Sequence, residues 1–212
     1  MLEIPDASTG ELVLRLAKHT LSAHKFSNVC LTEMDFSTID SSDADFSFST
    51  LRRVNFARAV LCRARFGNTF LHSVDFRSAR LEDVDFTSAV IKEALFSDAR
   101  LEGAILRYAQ LSNVDLTGAV LTNADLSMAT ITGVLVNADF SGADLRGADL
   151  RETRLHGARF DGARLANARF IGNSPTEMHV QMARLAHAQN PSKSLPSTPS
   201  QGKKSWWRFL GG

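Results

Sequence analysis

The sequence predicts an all-β solenoid, a chain wound into a four-sided β-helix, and three observations support this prediction. From residue 21 to residue 170 a large apolar residue recurs at every fifth position, which we call position i. A small residue, most often alanine, stands two positions earlier, at i−2. Between Phe26 and Phe96 phenylalanine returns at every tenth residue, with leucine or isoleucine between, apart from Ser41.

A period of five excludes the other regular structures. An amphipathic helix would repeat at three and four residues, and a half-buried strand at two. A chain that turns a corner every five residues places i and i−2 inside each edge, and four edges make a coil of about twenty residues. Successive coils would then stack at the ~4.8 Å spacing of β hydrogen bonding. Large and small inward side chains should interlock and leave no pore.

The spacing of the phenylalanines predicts two aromatic ladders inside this rod. Ten residues are half a coil, so alternate phenylalanines should lie on opposite inner walls. One ladder would contain Phe26, Phe46, Phe66 and Phe86, and the other Phe36, Phe56, Phe76 and Phe96.

Two irregularities interrupt the repeat. Ser41 is the one polar residue at position i, and we expect it to mark a weak point in the second coil. Between Ile131 and Phe140 the frame shortens by one residue. This predicts a bulge or a distorted turn, with either Leu135 or Val136 pointing inward.

Four segments carry a family resemblance. They are Ala124-Asp125-Leu126-Ser127, Ala138-Asp139-Phe140-Ser141-Gly142, Ala143-Asp144-Leu145-Arg146-Gly147 and Ala148-Asp149-Leu150-Arg151. These segments resemble the A(D/N)LxX motif of pentapeptide repeat proteins. The resemblance implies a right-handed quadrilateral β-helix over 21–170. It indicates little about function, because this family uses one rod for many purposes.

Residues 1–20 precede the clear repeat and are predicted to cap its first coil. Ser8 and Glu11 have the spacing of a helix capping box, ahead of an apolar run from Leu12 to Leu16. A short helix and a first strand-like segment both remain open. Either would cover the apolar end of a repeat stack, which terminal units must do.

A short capping helix is predicted over 171–189. Ser174 suits the N-cap, Pro175 the first helical position, and Glu177 completes a capping box. Met178, Met182 and Leu185 then fall on one helical face. We expect this face to lie across the last coil; the alternative is a contact between two copies. The chain is therefore expected to be a monomer, or a homodimer through this helix.

Residues 190–212 read as a flexible linker that ends in an aromatic and basic tail. We predict that the tail docks into a pocket of a partner protein, because Trp, Phe and Arg dominate interface hot spots. The alternatives are a membrane interface, where Trp and basic residues meet anionic lipid, and a tail without a role. The predicted binding residues are Lys203, Lys204, Trp206, Trp207, Arg208, Phe209 and Leu210.

The remaining sequence indicates a protein that is not an enzyme. It contains no G-x-S-x-G, H-E-x-x-H or C-x-x-C motif, so no catalytic, metal or cofactor residues are predicted. Cys30 and Cys62 map to outward positions on different faces and should not pair. A start without a signal-like apolar run, no span of ~20 apolar residues and only two cysteines favour the cytoplasm.

Charge varies along the rod in bands, although the net charge is +1. An acidic band precedes an arginine-rich band, and four arginines at successive i−1 positions should form a collar with one on each face. This collar, a candidate docking surface, comprises Arg154, Arg159, Arg164 and Arg169. The favoured interpretation of the bands is that neighbouring coils neutralise one another. Some pentapeptide repeat proteins mimic DNA and bind type II topoisomerases, but the arginine band interrupts the negative face that such a mimic needs. Binding to a protein is therefore expected, and direct binding to nucleic acid is not.

Overall fold

The computed structural model describes residues 2–5, 12–16 and 20–170. Strands β1 (Leu2–Pro5) and β2 (Leu12–Leu16) pair antiparallel. Of the two alternatives for the N-terminal segment, the strand is the one observed, and its capping role stays a prediction. The helix predicted over 171–189 and the tail over 190–212 lie outside the described residues.

Residues 20–170 wind into a parallel β-solenoid, and one of its sides is a seven-stranded sheet. From β3 to β7 each residue pairs with the residue twenty positions later, as Leu31 with Leu51 and Leu51 with Leu71. One coil is thus twenty residues long. We call this side the sheet face. Its strands are β3 (Cys30–Thr32), β4 (Thr50–Arg52), β5 (Phe70–His72), β6 (Val90–Lys92), β7 (Gln110–Asp115), β8 (Thr130–Val134) and β9 (Asp149–Arg154).

The other three sides are shorter ladders with the same spacing. Single parallel bridges join i−1 residues of successive coils, such as Asp45 to Arg65 and Arg80 to Arg100. The backbone N–H of Phe46 donates to the C=O of Arg65 over 2.7 Å, one coil further on. These ladders confirm the predicted all-β solenoid with four sides.

Three of the four corners in each regular coil are built from one kind of turn. The N–H of residue i+3 donates to the C=O of residue i, as from Ala59 to Phe56 and from Ala64 to Leu61, both over 3.0 Å. The residue at i+2 has a positive φ, 60° at Arg58 and 57° at Arg63. At the corner after the sheet face, this backbone bond is missing from the described coils. The sheet face therefore differs from its three neighbours at its outgoing corner.

The interior is packed by the residues that the repeat predicts. From Phe36 to Leu150 the i and i−2 side chains are almost completely buried, except that Ile39 is partly exposed. Within each predicted phenylalanine ladder, neighbouring rings stack with centroids 4.8–5.3 Å apart. Rings of opposite ladders meet edge to face at 5.5–6.3 Å. Both arrangements are favourable for aromatic pairs, and both ladders are confirmed.

The frame slip is a one-residue deletion inside β8. Leu111 pairs with Ile131, but Val114 pairs with Gly133, so the register shortens from twenty residues to nineteen. Leu135 is then fully buried, whereas Val136 is partly exposed. Of the two alternatives, Leu135 is the inward residue. The shortened unit leaves Gly133 at i−2, where alanine is the commonest residue over the whole repeat and valine is the commonest in this column.

Ser41 is fully buried in a column of leucines, and no hydrogen-bond partner is found for its Oγ. A buried hydroxyl without a partner lowers stability by about 1–3 kcal/mol. We expect Ser41→Ala to raise the free energy of unfolding by about 1 kcal/mol, measured by chemical denaturation.

Ser49 provides a matched control, because it is equally small and also buried. Its Oγ donates to the C=O of Phe26 over 2.6 Å. Ser49→Ala should therefore lower the free energy of unfolding by about 1 kcal/mol. Two changes of the same sign would contradict this account of Ser41.

Candidate protein-binding surfaces

The outward side chains are the part of the rod that is available for function, because the interior is filled. Among the described residues there is no group of His, Cys, Asp or Glu side chains that could hold a metal ion. In the same part of the chain, no helix is long and apolar enough to cross a membrane.

Most aspartates at i−1 have a structural task that the sequence analysis missed. Their Oδ1 accepts the backbone N–H of residue i+1, as Asp45 does from Ser47 over 3.0 Å and Asp85 from Thr87 over 2.8 Å. Asn55 accepts from Ala57 in the same way. Such side-chain bonds cap a turn locally. The Asp or Asn of the motif is therefore present because it caps the turn at its corner. The regular spacing of Asp at i−1 is the sequence signal from which this role could have been inferred.

Ion pairs between neighbouring coils neutralise much of the banded charge. Arg63 Nη2 lies 2.7 Å from Asp43 Oδ2, and Arg65 Nη2 lies 2.9 Å from Asp45 Oδ2, one coil earlier. Arg53 pairs with Glu33 in the same relation. This geometry agrees with the interpretation that the charge bands of neighbouring coils neutralise one another. Because most of these pairs are exposed, each contributes little to stability.

The four collar arginines lie one on each side of the solenoid, in register with the preceding coil. Arg159 and Arg164 lie 3.2 Å from Asp139 and Asp144, and Arg169 lies 3.7 Å from Asp149. For Arg154, by contrast, no ion pair is found with a described residue. The collar is therefore partly neutralised, and its role as a docking surface stays a prediction.

Two carboxylates of the last coils are held ionised by arginines. Hydrogen bonds from Arg146 lower the pKa of Asp144, and hydrogen bonds from Arg151 lower that of Asp149, although burial opposes both effects. The shortest contacts are 2.7 Å to Asp144 and 2.6 Å to Asp149.

These lowered pKa values predict that acid destabilises the rod. A carboxyl group with a lower pKa in the folded state stabilises that state fully above its unfolded pKa, near 4. The stabilisation is lost as the pH falls through the folded pKa. We expect the free energy of unfolding, measured by denaturant titration, to decrease below pH ~4. In a double variant, Arg146→Gln with Arg151→Gln, this decrease should be smaller; an equal decrease would contradict the assignment.

Both cysteines are free, as predicted: Cys30 is exposed and Cys62 is partly buried. Burial, together with a hydrogen bond to Glu82, raises the pKa of the Cys62 thiol. Its Sγ lies 3.2 Å from Glu82 Oε2. Because the thiolate is the reactive form and a raised pKa favours the thiol, the surroundings of Cys62 do not activate it as a nucleophile.

One corner of the rod carries large apolar side chains at i+2, which we call the apolar corner. Phe48, Tyr108 and Met128 are 63%, 60% and 55% exposed, respectively. Their φ angles are 59°, 58° and 61°. A positive φ is general at i+2 in this fold, but bulky residues adopt it at a cost. In the same column other coils have Asn28 and Asn68, residue types that tolerate this conformation.

A shallow groove follows the frame slip, where β7, β8 and β9 continue around the corner. Its lining includes Asn113, Thr132, Gly133, Glu152 and Arg154. The groove places Arg154 of the collar beside the slip, two features that the sequence analysis had treated separately. The predicted binding residues of the tail, 203–210, lie outside the described residues.

The repeat model for this architecture matches most of the rod. The family model described as pentapeptide repeats matches in eight copies, over residues 42–77, 71–107, 79–118, 94–133 and 134–172. This chain belongs to the pentapeptide repeat family. A comparison with curated proteins finds no match.

A comparison with solved structures finds pentapeptide repeat proteins. A trypsin-treated variant of QnrB1, a plasmid-mediated fluoroquinolone resistance protein, matches with a TM-score of 0.53 and 20% identity, over 80% of this chain and 93% of that one. HetL, a protein involved in heterocyst differentiation regulation from the cyanobacterium Nostoc sp. strain PCC 7120, matches with a TM-score of 0.26 and 24% identity, over 71% and 92% of the two chains.

Proposed function

We propose that this protein is a non-enzymatic scaffold that binds another protein through its rigid rod and its C-terminal tail. The observation that carries the proposal is the apolar corner. Tyr108 and Met128 lie on consecutive coils of one edge, and Phe48 lies three coils earlier on the same edge. Exposed apolar surface of this kind is typical of protein interaction sites. The three residues also occupy a backbone conformation that costs a bulky residue about 1 kcal/mol each. Packing of the rod does not require them, since asparagine fills the same column elsewhere.

The proposal predicts that replacing the large side chains of the apolar corner weakens binding to the partner but does not lower the stability of the rod. A triple variant with Phe48→Asn, Tyr108→Asn and Met128→Asn should be at least as stable as the parent chain, because asparagine tolerates positive φ. The same variant should lose a partner that the parent chain captures from cell extract. The partner would be identified by mass spectrometry and the loss repeated with purified proteins. Arg58→Gln, an exposed change on another side, is the control.

The tail is tested separately with a chain that ends at Gln189. Its pull-downs and its flotation with anionic liposomes are compared with those of the full chain. Loss of partner capture alone supports the proposed docking motif, and loss of flotation alone supports a membrane-associated adaptor instead. If both chains behave alike in both assays, the tail has no part in binding.

Modulation of a type II topoisomerase is the second candidate function. It is supported by the fold shared with QnrB1, a fluoroquinolone resistance protein. The charge arrangement weighs against it, because the aspartates cap turns and pair with arginines of neighbouring coils. A DNA mimic needs a continuous negative surface. A gyrase supercoiling assay separates the two candidates: no effect at micromolar protein removes this one.

A further inference from the structure

The sheet face has a different outward chemistry from the other three sides. Six successive coils have an uncharged residue at its i−1 position, whereas aspartate is frequent at i−1 elsewhere. The local turn does not exclude aspartate here, because in the last coil of this face Asp149 Oδ1 accepts the backbone N–H of Arg151 over 3.2 Å. The six residues are Cys30, Thr50, Phe70, Val90, Gln110 and Thr130.

Three basic residues follow one another along the i+1 column of this face. Arg52, His72 and Lys92 are paired in register on consecutive strands, so they lie about one coil, ~4.8 Å, apart. The Arg52 guanidinium carbon lies 5.5 Å from the centroid of the Phe70 ring, and Lys92 Nζ lies 5.8 Å from it. Phe70 is half-buried between them, and a cation this close to an aromatic ring is held in place.

These two cations are not neutralised within the described part of the chain. Arg52 and Lys92 form no ion pair there, whereas Arg53, next to Arg52 in the chain, and Arg63, on another side, both pair with carboxylates. The acidic residues at the adjoining corner have other partners. Glu33 accepts from Arg53, and Glu93 accepts from Ser73 Oγ over 3.2 Å. The centre of the sheet face therefore presents positive charge beside the apolar surface of Phe70 and Val90.

We propose that the sheet face around Phe70 binds an extended acidic segment of a partner protein. Arg52 and Lys92 are two coils apart, ~9.6 Å. In an extended chain successive side chains point to opposite faces, so every second residue, ~6.6 Å apart, faces the rod. Carboxylates on the first and fifth residues of such a segment, ~13 Å apart, can bend inward to the two cations while the apolar side chain of the third residue contacts Phe70 and Val90. The inference rests on the protein-binding function proposed above, but it requires neither the apolar corner nor the tail.

The arrangement favours a peptide over a nucleic acid. A single-stranded nucleic acid is usually held by open aromatic platforms on which bases stack. Here the Phe70 ring already has Arg52 and Lys92 over it. Two unpaired cations and one histidine also provide few phosphate contacts, on which nucleic-acid affinity depends.

Fluorescence anisotropy with the full chain tests the proposal. The probe is a fluorescein-labelled peptide of the sequence Glu-Ser-Val-Ser-Glu-Ser-Val-Ser-Glu, about nine residues long, which places glutamate and valine on one face of an extended chain; it is used at low salt. The double variant Arg52→Gln with Lys92→Gln should bind it at least about tenfold more weakly, since charge-assisted contacts dominate such a site. Arg58→Gln removes an exposed arginine without an ion pair in the described chain, on another side, and should change binding by less than about twofold.

Several outcomes would overturn the proposal. These are no binding of the peptide, equal loss in both variants, or tighter binding of a labelled fifteen-nucleotide poly-dT than of the peptide. A change in oligomeric state in the double variant, seen by light scattering, would make this face an interface between copies instead. If the peptide fails while the apolar-corner variant still loses its partner, the sheet-face inference alone is wrong.

Discussion

Replacing Gly133 by alanine is expected to destabilise the rod by about 3 kcal/mol or more. Gly133 has a φ of 128°, which L residues rarely adopt, and an added Cβ would lie 2.7 Å from the backbone N of Val114. It would lie closer still to the Val114 carbonyl oxygen. Both contacts are with backbone, so no side chain can move aside. The parallel pairing of β7 and β8 would have to open, which thermal and denaturant unfolding monitored by circular dichroism would detect.

Gly162→Ala is the matched control. Gly162 also has a positive φ, 69°, but nothing lies within 4 Å of an added Cβ. This variant should lose only about 1 kcal/mol, the ordinary cost of alanine in the left-handed region. If the two variants unfold at the same denaturant concentration, the close approach of Gly133 to Val114 does not limit stability.

The interior was predictable because it depends on a local rule. A chain that turns every five residues buries i and i−2 whatever the rest of the chain does. The positions of Phe46, Phe66 and Leu71 therefore follow from the sequence alone. The same register of twenty residues also places Arg63 over Asp43, an ion pair that could have been derived before the structure.

The slip was located only in part, because it depends on contacts between distant residues. The repeat could not decide between Leu135 and Val136. The decision comes from the pairing of Gly133 with Val114, which places the one-residue deletion before Gly133 in β8. A glycine at i−2, where alanine is usual, was the available signal.

The candidate surfaces were the least predictable part. All four sides share one motif, so the repeat pattern offers no direct reason to treat the sheet face separately. The signal was weak: every fourth i−1 residue, from Cys30 to Thr130, is uncharged. The role of Phe70 depends on Arg52 and Lys92, which lie one coil before and after it. Likewise, the exposure of Tyr108 at the apolar corner could be recognised only once the geometry of that corner was known.

Replacing Phe66 by alanine is expected to lower the free energy of unfolding by about 3–5 kcal/mol. The Phe66 ring stacks on Phe46 at 4.8 Å and on Phe86 at 5.1 Å. It also meets Phe56 and Phe76 edge to face, at 6.0 Å and 5.9 Å. The change therefore opens a cavity and removes four aromatic contacts. Because each coil of a solenoid depends on its neighbours, a defect at the middle of the ladders weakens the coils on both sides.

Two control variants separate this packing effect from the general loss of a phenylalanine. Phe66→Leu introduces the residue that fills position i in later coils, so it should cost only about 1 kcal/mol. Phe48→Ala removes an exposed ring and should change stability by less than about 0.5 kcal/mol. Denaturant titrations under identical conditions rank the three variants by their free energy of unfolding. If Phe66→Ala unfolds no earlier than Phe48→Ala, the stacked rings are not the main support of the rod.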